Sequence, residues 1–384
     1  MAASAGGKRT TPLIWPVEPK SAPGARPSAT PKLRPAKRAR SRRARVLRGI
    51  GLVLLVIVVI FSLGAGALIW SWNRTTTNYP AAHFNNGLNA VWLEHTWSGS
   101  PHTSAEYDRL AAELKAREIT FVYAHVGPLD SNGTIPDDRA PYAQRFAAAM
   151  HERLPDLRVL AWIGQNEAAS GNAPEDVVAL DNSSVRTHIA LTAARFVKVD
   201  GFNGVHYDIE PIVNNDARFL DLLDETRKAL PANAMISIAG QKWAPNATIA
   251  DWVHQAGRAD AWWTSYYYSR VAAFVDQIAV MTYNTAMPTA PAYSLMVKQQ
   301  TQNILAAVRS VASPPQILMG IPTYPGNDRW YHDSAENMSS GLAGIAAGLN
   351  SDTESSPFAG VAIYRFALTS DDSWNTYDKV WLGE

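Results

Sequence analysis

No cysteine occurs among the 384 residues, which removes disulfides, thiolate metal sites and cysteine nucleophiles from consideration. No His-Glu-x-x-His pattern is present and the nine histidines are scattered along the chain, so no metal site is expected. No Gly-rich phosphate loop follows the first β-rich run, which argues against a doubly wound nucleotide-binding sheet. Nothing in the sequence calls for a cofactor. Charge is missing from one stretch: Gly49 to Trp72 contains no Lys, Arg, Asp or Glu over 24 residues.

What is present is unevenly spread. Residues 1–48 hold thirteen Lys/Arg against a single acid, Glu18, whereas the remaining 22 bases face 33 acids. Pro and Ala fill the segment from Pro12 to Pro35 with no apolar period, a composition that reads as a disordered tail. The basic run from Lys37 to Arg45 would suit nucleic acid in isolation, but the uncharged run follows almost at once. A membrane flank is the better reading, and no nucleic-acid partner is expected. About 20 apolar residues suffice to cross the hydrocarbon core.

The expected organisation is therefore a cytoplasmic basic tail over residues 1–48 and a single-pass signal anchor over residues 49–72. A linker over 73–84 and an extracytoplasmic domain over 85–384 follow, with the membrane as a partner through 49–72. The basic flank sets the orientation, and Trp70 and Trp72 fall at the far interface. A cleaved signal is the competing reading, since Ala65-Gly66-Ala67 fits a small-residue cleavage site and Arg42-Arg43 hints at twin-arginine export. Either way the domain leaves the cytoplasm.

In that domain short β-rich runs alternate with helical patterns. The strand candidates are Leu88–Glu94, Ile119–Val126, Arg158–Gln165, Gly204–Glu210, Met235–Gln241, Gln277–Tyr283, Gln316–Thr323 and Gly360–Phe366. Helical spacing marks Ser104–Arg117, Ala140–Leu154, Val185–Val199, Ala217–Leu230 and Ala292–Val311, with Ser104 and Ser334 as expected caps. The stretch Thr248–Asp276 is long enough for two helices or a lid, and Ser373–Glu384 is short for a last helix. Eightfold alternation implies a closed parallel (β/α)8 barrel, an α/β fold whose reacting groups stand at the C-terminal ends of its strands.

Polar residues that interrupt an apolar strand near its end are thus the candidates. The fourth strand has three on one face, His206, Asp208 and Glu210, because side chains alternate along a strand. Charges are costly inside a barrel. The bland alternative is a buried ion network, with Arg365 as its cation. Other strand-end groups able to line a cleft are Glu94, His95, Trp97, His125, Gln165, Asn166, Gln241, Trp243, Tyr324 and Arg365. Thirteen Trp and fourteen Tyr add a weak hint, since flat sugar faces stack on such rings.

The segment Asp200-Gly201-Phe202-Asn203-Gly204-Val205-His206-Tyr207-Asp208-Ile209-Glu210 resembles the fourth-strand motif of glycoside hydrolase family 18, the chitinase-like hydrolases. Met281-Thr282-Tyr283-Asn284 is similar to the family's sixth-strand motif, and Gly360–Tyr364 to its closing strand, with Tyr364 where a Trp usually floors the sugar site. The resemblance implies a (β/α)8 glycosidase acting on a polysaccharide or oligosaccharide, one containing N-acetylhexosamine, without a metal. It implies Glu210 as the acid, Asp208 as support for the substrate's own attacking acetamide, and Tyr283 as its hydrogen-bond donor. His206, Asn284, Gln241, Trp243, Tyr364 and Trp162 are expected to contact substrate. In this sequence Asn203 and His206 replace two aspartates of the motif, and Trp162-Ile163-Gly164-Gln165 stands where the family has Ser-x-Gly-Gly. A protonated His206 would draw Asp208 towards the anion. The competing expectations are a carbohydrate-binding barrel that has lost turnover through these replacements, and a structural envelope protein.

Topology is directly testable. A reporter fused after residue 80 should lie outside the cell, with the full-length chain in the membrane fraction. A soluble product beginning near Leu68 would exclude an uncleaved anchor.

Overall fold

The structure is a computed structural model that describes residues 47–64, 66, 81–168, 177–256, 261–351 and 357–384. The chain divides at Gly64 into two units. In the first, Leu47–Gly64 forms one helix of 18 residues with mean hydropathy 2.5 and none of its surface buried, long and apolar enough to cross a membrane. The basic tail up to residue 46, Trp70, Trp72 and most of the linker fall outside the described residues.

The second unit contains eight parallel strands: β1 (Asn89–Leu93), β2 (Ile119–Pro128), β3 (Arg158–Glu167), β4 (Gly204–Glu210), β5 (Met235–Gly240), β6 (Gln277–Val280), β7 (Gln316–Pro322) and β8 (Phe358–Tyr364). Each pairs with the next in sequence, and β8 pairs with β1. No edge is left between them, so the sheet is a closed (β/α)8 barrel.

All eight strand candidates form strands. The sixth is shorter than expected, because β6 ends at Val280 and Thr282 turns back, its N–H on Val280 O at 3.0 Å. Asn284 and Ala286 then take left-handed conformations, φ 55° and 58°.

Between the strands lie α1 (Ser104–Ala116), α2 (Ala143–Arg153), α3 (Ser183–Lys198), α4 (Ala217–Ala229), α5 (Ala247–Gln255), α6 (Ser265–Ala272), α7 (Ala290–Val308), α8 (Met338–Leu349) and α9 (Asp371–Tyr377). The long stretch after β5 holds two helices, α5 and α6, and a short ladder of Lys242–Trp243 with Trp262–Trp263. Both expected caps move. Thr103 caps α1, forming a reciprocal box with Glu106, and Asn337 caps α8 with Ser340. In each case the cap's side-chain oxygen must lie three residues before a backbone N–H still lacking a partner.

Two apolar layers result. Outward-facing strand residues such as Val91, Val122, Val205 and Ile363 pack with the helices into the main core. Inward-facing Ala90, Trp92, Tyr123, Leu160, Trp162 and Leu318 fill the barrel itself. Asn89 closes the lower seam without any exposure. Its Oδ1 accepts from Val361 N at 3.2 Å and from the Trp381 indole at 2.9 Å, while its Nδ2 donates to Glu118 O at 3.3 Å. This one side chain ties β1 to β8, to the C-terminal turn and to the entrance of β2.

Asn89→Ala should leave at least two of these buried groups unpaired and cost about 2–4 kcal/mol, since each orphaned polar group costs about 1–3 kcal/mol. Denaturant unfolding of the full-length chain measures it; a loss below about 0.5 kcal/mol would show that the seam is closed by other contacts.

Candidate functional site

The upper halves of β3, β4 and β5 and the chain ends beyond β6 and β8 converge at one mouth of the barrel. Three inward side chains of β4 rise towards it in steps of about 6.6 Å, two residues at about 3.3 Å each. His206 is deepest, Asp208 next, and Glu210 ends the strand.

His206 is sealed from solvent and both its ring nitrogens are engaged. Nε2 accepts from the Trp92 indole N–H at 3.1 Å, and an indole nitrogen is only ever a donor. The proton of neutral His206 therefore sits on Nδ1, which faces Ser237 Oγ at 2.8 Å. Ser237 donates to Gln277 Oε1 at 2.9 Å, Tyr123 donates to the same oxygen at 2.7 Å, and Gln277 donates to Gln316 Oε1 at 3.2 Å. Tyr123 also stacks on the imidazole, centroids 3.8 Å apart. Burial holds His206 well below its usual pKa, so it is neutral. The expected substrate contact is thereby corrected, and the conditional case of a protonated His206 does not arise. His206 neither reaches the cleft as a substrate contact nor carries a charge beside Asp208, because it lies one layer too deep and its nitrogens are already spent.

Asp208 is half-buried as a residue, but its Oδ1 is closed off from water and takes no hydrogen bond. Its Oδ2 accepts from the Trp162 indole N–H at 2.9 Å. Burial pushes the carboxyl up to about 6, against the downward pull of that bond. Its bonded partner is thus an indole, not the Arg365 guanidinium of the alternative ion network. Glu210 Oε1 accepts from Gln241 Nε2 at 3.2 Å, and Gln241 is itself buried just beyond β5. Tyr283 is buried and stacks on Tyr364, centroids 5.0 Å apart at 13°. Burial, then Tyr364, Asp208, Tyr324 and Glu210, keep the Tyr283 phenol far above its usual pKa, so it remains a donor. Tyr364 is pushed up to about 12 by burial first and by Asp208 next. Asp208, Glu210, Tyr283 and Tyr364 are thus gathered around one space.

The other expected residues fall further out. Asn284 is exposed and accepts from Tyr324 OH at 2.7 Å. Trp243 donates its indole N–H to Ser265 Oγ at 2.8 Å and is held through its backbone by Gln300. Asn203 is not at the mouth: its Oδ1 accepts from Val159 N at 2.7 Å and pairs with His151 at 2.8 Å, joining β4 to β3 and α2. Among the described residues no three His, Asp or Glu converge to hold a metal ion.

Sequence reasoning missed Glu336. Fully buried, it accepts from Thr285 N at 3.0 Å and Thr285 Oγ1 at 2.8 Å, and so braces the segment that carries Tyr283 and Asn284. Burial pushes it up to about 7, opposed by the Thr285 bonds and by Lys242. It comes from a polar loop, Asp333–Asn337, where no periodicity signals an inward side chain. Trp92 and Ser237 were missed as well, each being unremarkable inside an apolar strand.

No curated protein matches the chain by sequence. Among solved structures, the spore cortex-lytic enzyme SleL of Bacillus cereus superposes with a TM-score of 0.51 at 14% identity, covering 77% of this chain and 74% of that one. A class V chitinase of Pseudomonas fluorescens gives 0.51 at 14%, covering 76% and 98%. A Cycas revoluta chitinase, solved with (GlcNAc)4, gives 0.50 at 14%, covering 76% and 98%. At such identity these likenesses speak for the fold. The profile of Glycosyl hydrolases family 18 matches residues 95–381, about three quarters of the chain and all eight strands but the first, and the chain belongs to that family.

Proposed function

We propose that this chain is a membrane-anchored glycoside hydrolase that cleaves a polysaccharide containing N-acetylhexosamine outside the cell, by proton donation from Glu210 with assistance from the substrate's acetamide. The observation that carries the reading is the grouping of Asp208 and Glu210 on one face of β4 at the mouth, near the stacked Tyr283 and Tyr364.

Cleaving a glycosidic bond requires a proton on the leaving oxygen and support for positive charge at the anomeric carbon. Glu210, at the end of the strand, gives the proton. The acetamide carbonyl oxygen attacks the anomeric carbon as the bond to the leaving oxygen breaks, closing a cationic five-membered ring. Asp208, as the anion, stabilises that cation. Tyr283, held as a phenol, donates to the acetamide. Water then opens the ring, and the Glu210 carboxylate takes its proton. Gln241 holds one Glu210 oxygen, which fixes the carboxyl's orientation. Asn284, Trp243 and Tyr364 belong in this reading to the wider cleft, where they meet the sugar chain.

Replacement of the motif's inner aspartate by His206 does not remove the reacting pair, because His206 is bonded to Trp92 and Ser237. The apolar helix supports an anchor: with every side from Ile50 to Phe61 exposed and apolar, it lacks the single stripe of a soluble amphipathic helix. In this reading the tail over 1–48 stays in the cytoplasm and the barrel over 85–384 faces outward.

Glu210→Gln keeps the shape and loses the acid, so turnover of labelled N-acetylglucosamine oligomers by the full-length chain should fall roughly 10²–10⁴-fold. Oligomer binding should persist. Equal turnover by the parent and Glu210→Gln would remove Glu210 from the mechanism. Comparable hydrolysis of plain glucosides would remove the acetamide but leave a glycosidase. Binding without hydrolysis in the parent would favour the carbohydrate-binding barrel.

A further inference from the structure

We propose that Trp162 is a positioning residue that locks the Asp208 carboxylate through its indole N–H and keeps it ready as an anion, rather than a platform on which sugar stacks. The proposal rests on Asp208 acting as the charge stabiliser above.

Trp162 projects into the barrel from β3, level with His206 in the strand register. Its indole nitrogen reaches one row higher, to Asp208 Oδ2 at 2.9 Å. Gly164 borders the approach. It lies opposite Asp208, and a Cβ there would stand 3.3 Å from Asp208 O and 3.6 Å from the indole nitrogen itself.

The ring has no face to offer a sugar. Only 8% of the residue is exposed, and its flanks meet His125 edge-on at 4.6 Å and Tyr364 at 6.3 Å. A stacking platform needs an open ring face; a hydrogen-bond donor needs only its edge.

Among the described residues Asp208 has no other donor. Oδ1 is sealed and unbonded, and His206 beneath it is neutral, with its only proton facing Ser237. The groups that face Asp208 are Glu210 on its own strand and the Tyr283 and Tyr364 phenols from beyond β6 and at the end of β8. An indole N–H donates and cannot accept, so it favours the ionised carboxylate over the protonated one. Burial works the other way, leaving the Asp208 carboxyl at about 6. Loss of the donor should raise it further, and the anion would then be depleted at neutral pH.

Trp162→Phe keeps the ring and removes the donor. In the full-length chain, the acidic limb of kcat on N-acetylglucosamine oligomers should move up by about one pH unit, since a stronger claim on the proton shifts titration upward. Turnover at pH 6 should fall about fivefold and recover by about pH 8, with KM little changed. An unmoved limb together with a raised KM would identify Trp162 as a sugar contact and overturn the proposal. A second readout needs no turnover. With indole-15N tryptophan in the parent chain, the Trp162 N–H resonance should titrate near pH 6 and cease to do so in Asp208→Asn. A resonance insensitive to pH would also overturn the proposal. If no oligomer is hydrolysed, the glycosidase reading fails while the indole titration still decides the bond.

Discussion

A histidine at the centre of a closed barrel must be either neutral or paired with an anion, because a bare imidazolium there would forfeit its hydration. His206 meets that constraint by spending both nitrogens, one on Trp92 and one on Ser237. The chain continues through Gln277 to Tyr123 and Gln316, so hydrogen bonds inside the barrel join six of its eight strands. Such a network is costly to break at any link, since each orphaned group would have to be buried without a partner. It also settles the electrostatics one row higher. With His206 uncharged and engaged elsewhere, Asp208 is left with burial on one side and a single indole on the other.

The three rows of β4 then acquire different characters from depth alone. His206, deepest, is structural and neutral. Asp208 is half-buried, with one sealed oxygen and a raised pKa. Glu210 meets Gln241 at the rim. Two carboxylates on one strand, two residues apart, thus sit in different surroundings, as the proposed division into acid and charge stabiliser requires of chemically similar groups. Glu336 extends the same logic to the segment after β6, where a buried carboxyl fixes Thr285 and with it the turn carrying Tyr283.

Much of this was legible beforehand. Apolar runs bounded by turns located all eight strands, and period-2 alternation put His206, Asp208 and Glu210 on one face. Alternation does not give depth, however, so the cleft role expected of His206 was misplaced by one row. The partners of His206 were hidden for a related reason: Trp92 and Ser237 come from strands 114 and 31 residues away, and only barrel closure brings them together. Trp162 was expected as a sugar contact from its place in the stretch where the family has Ser-x-Gly-Gly. Its 8% exposure and its bond to Asp208 are properties of the assembled interior. Ser104 and Ser334 failed as caps by one and three residues, since composition marks a helix start but not which oxygen reaches which N–H.

The division of labour at the mouth has a stereochemical consequence. If the acetamide attacks first and water second, the anomeric carbon is inverted twice, and a β-linked N-acetylglucosamine oligomer must release its new reducing end as the β anomer. Proton NMR of the first-formed product, recorded before mutarotation while the full-length chain is turning over, reads this directly. The β anomer appearing first is the predicted result, and the α anomer appearing first would mean a single displacement by water and contradict acetamide-assisted catalysis at Asp208 and Glu210.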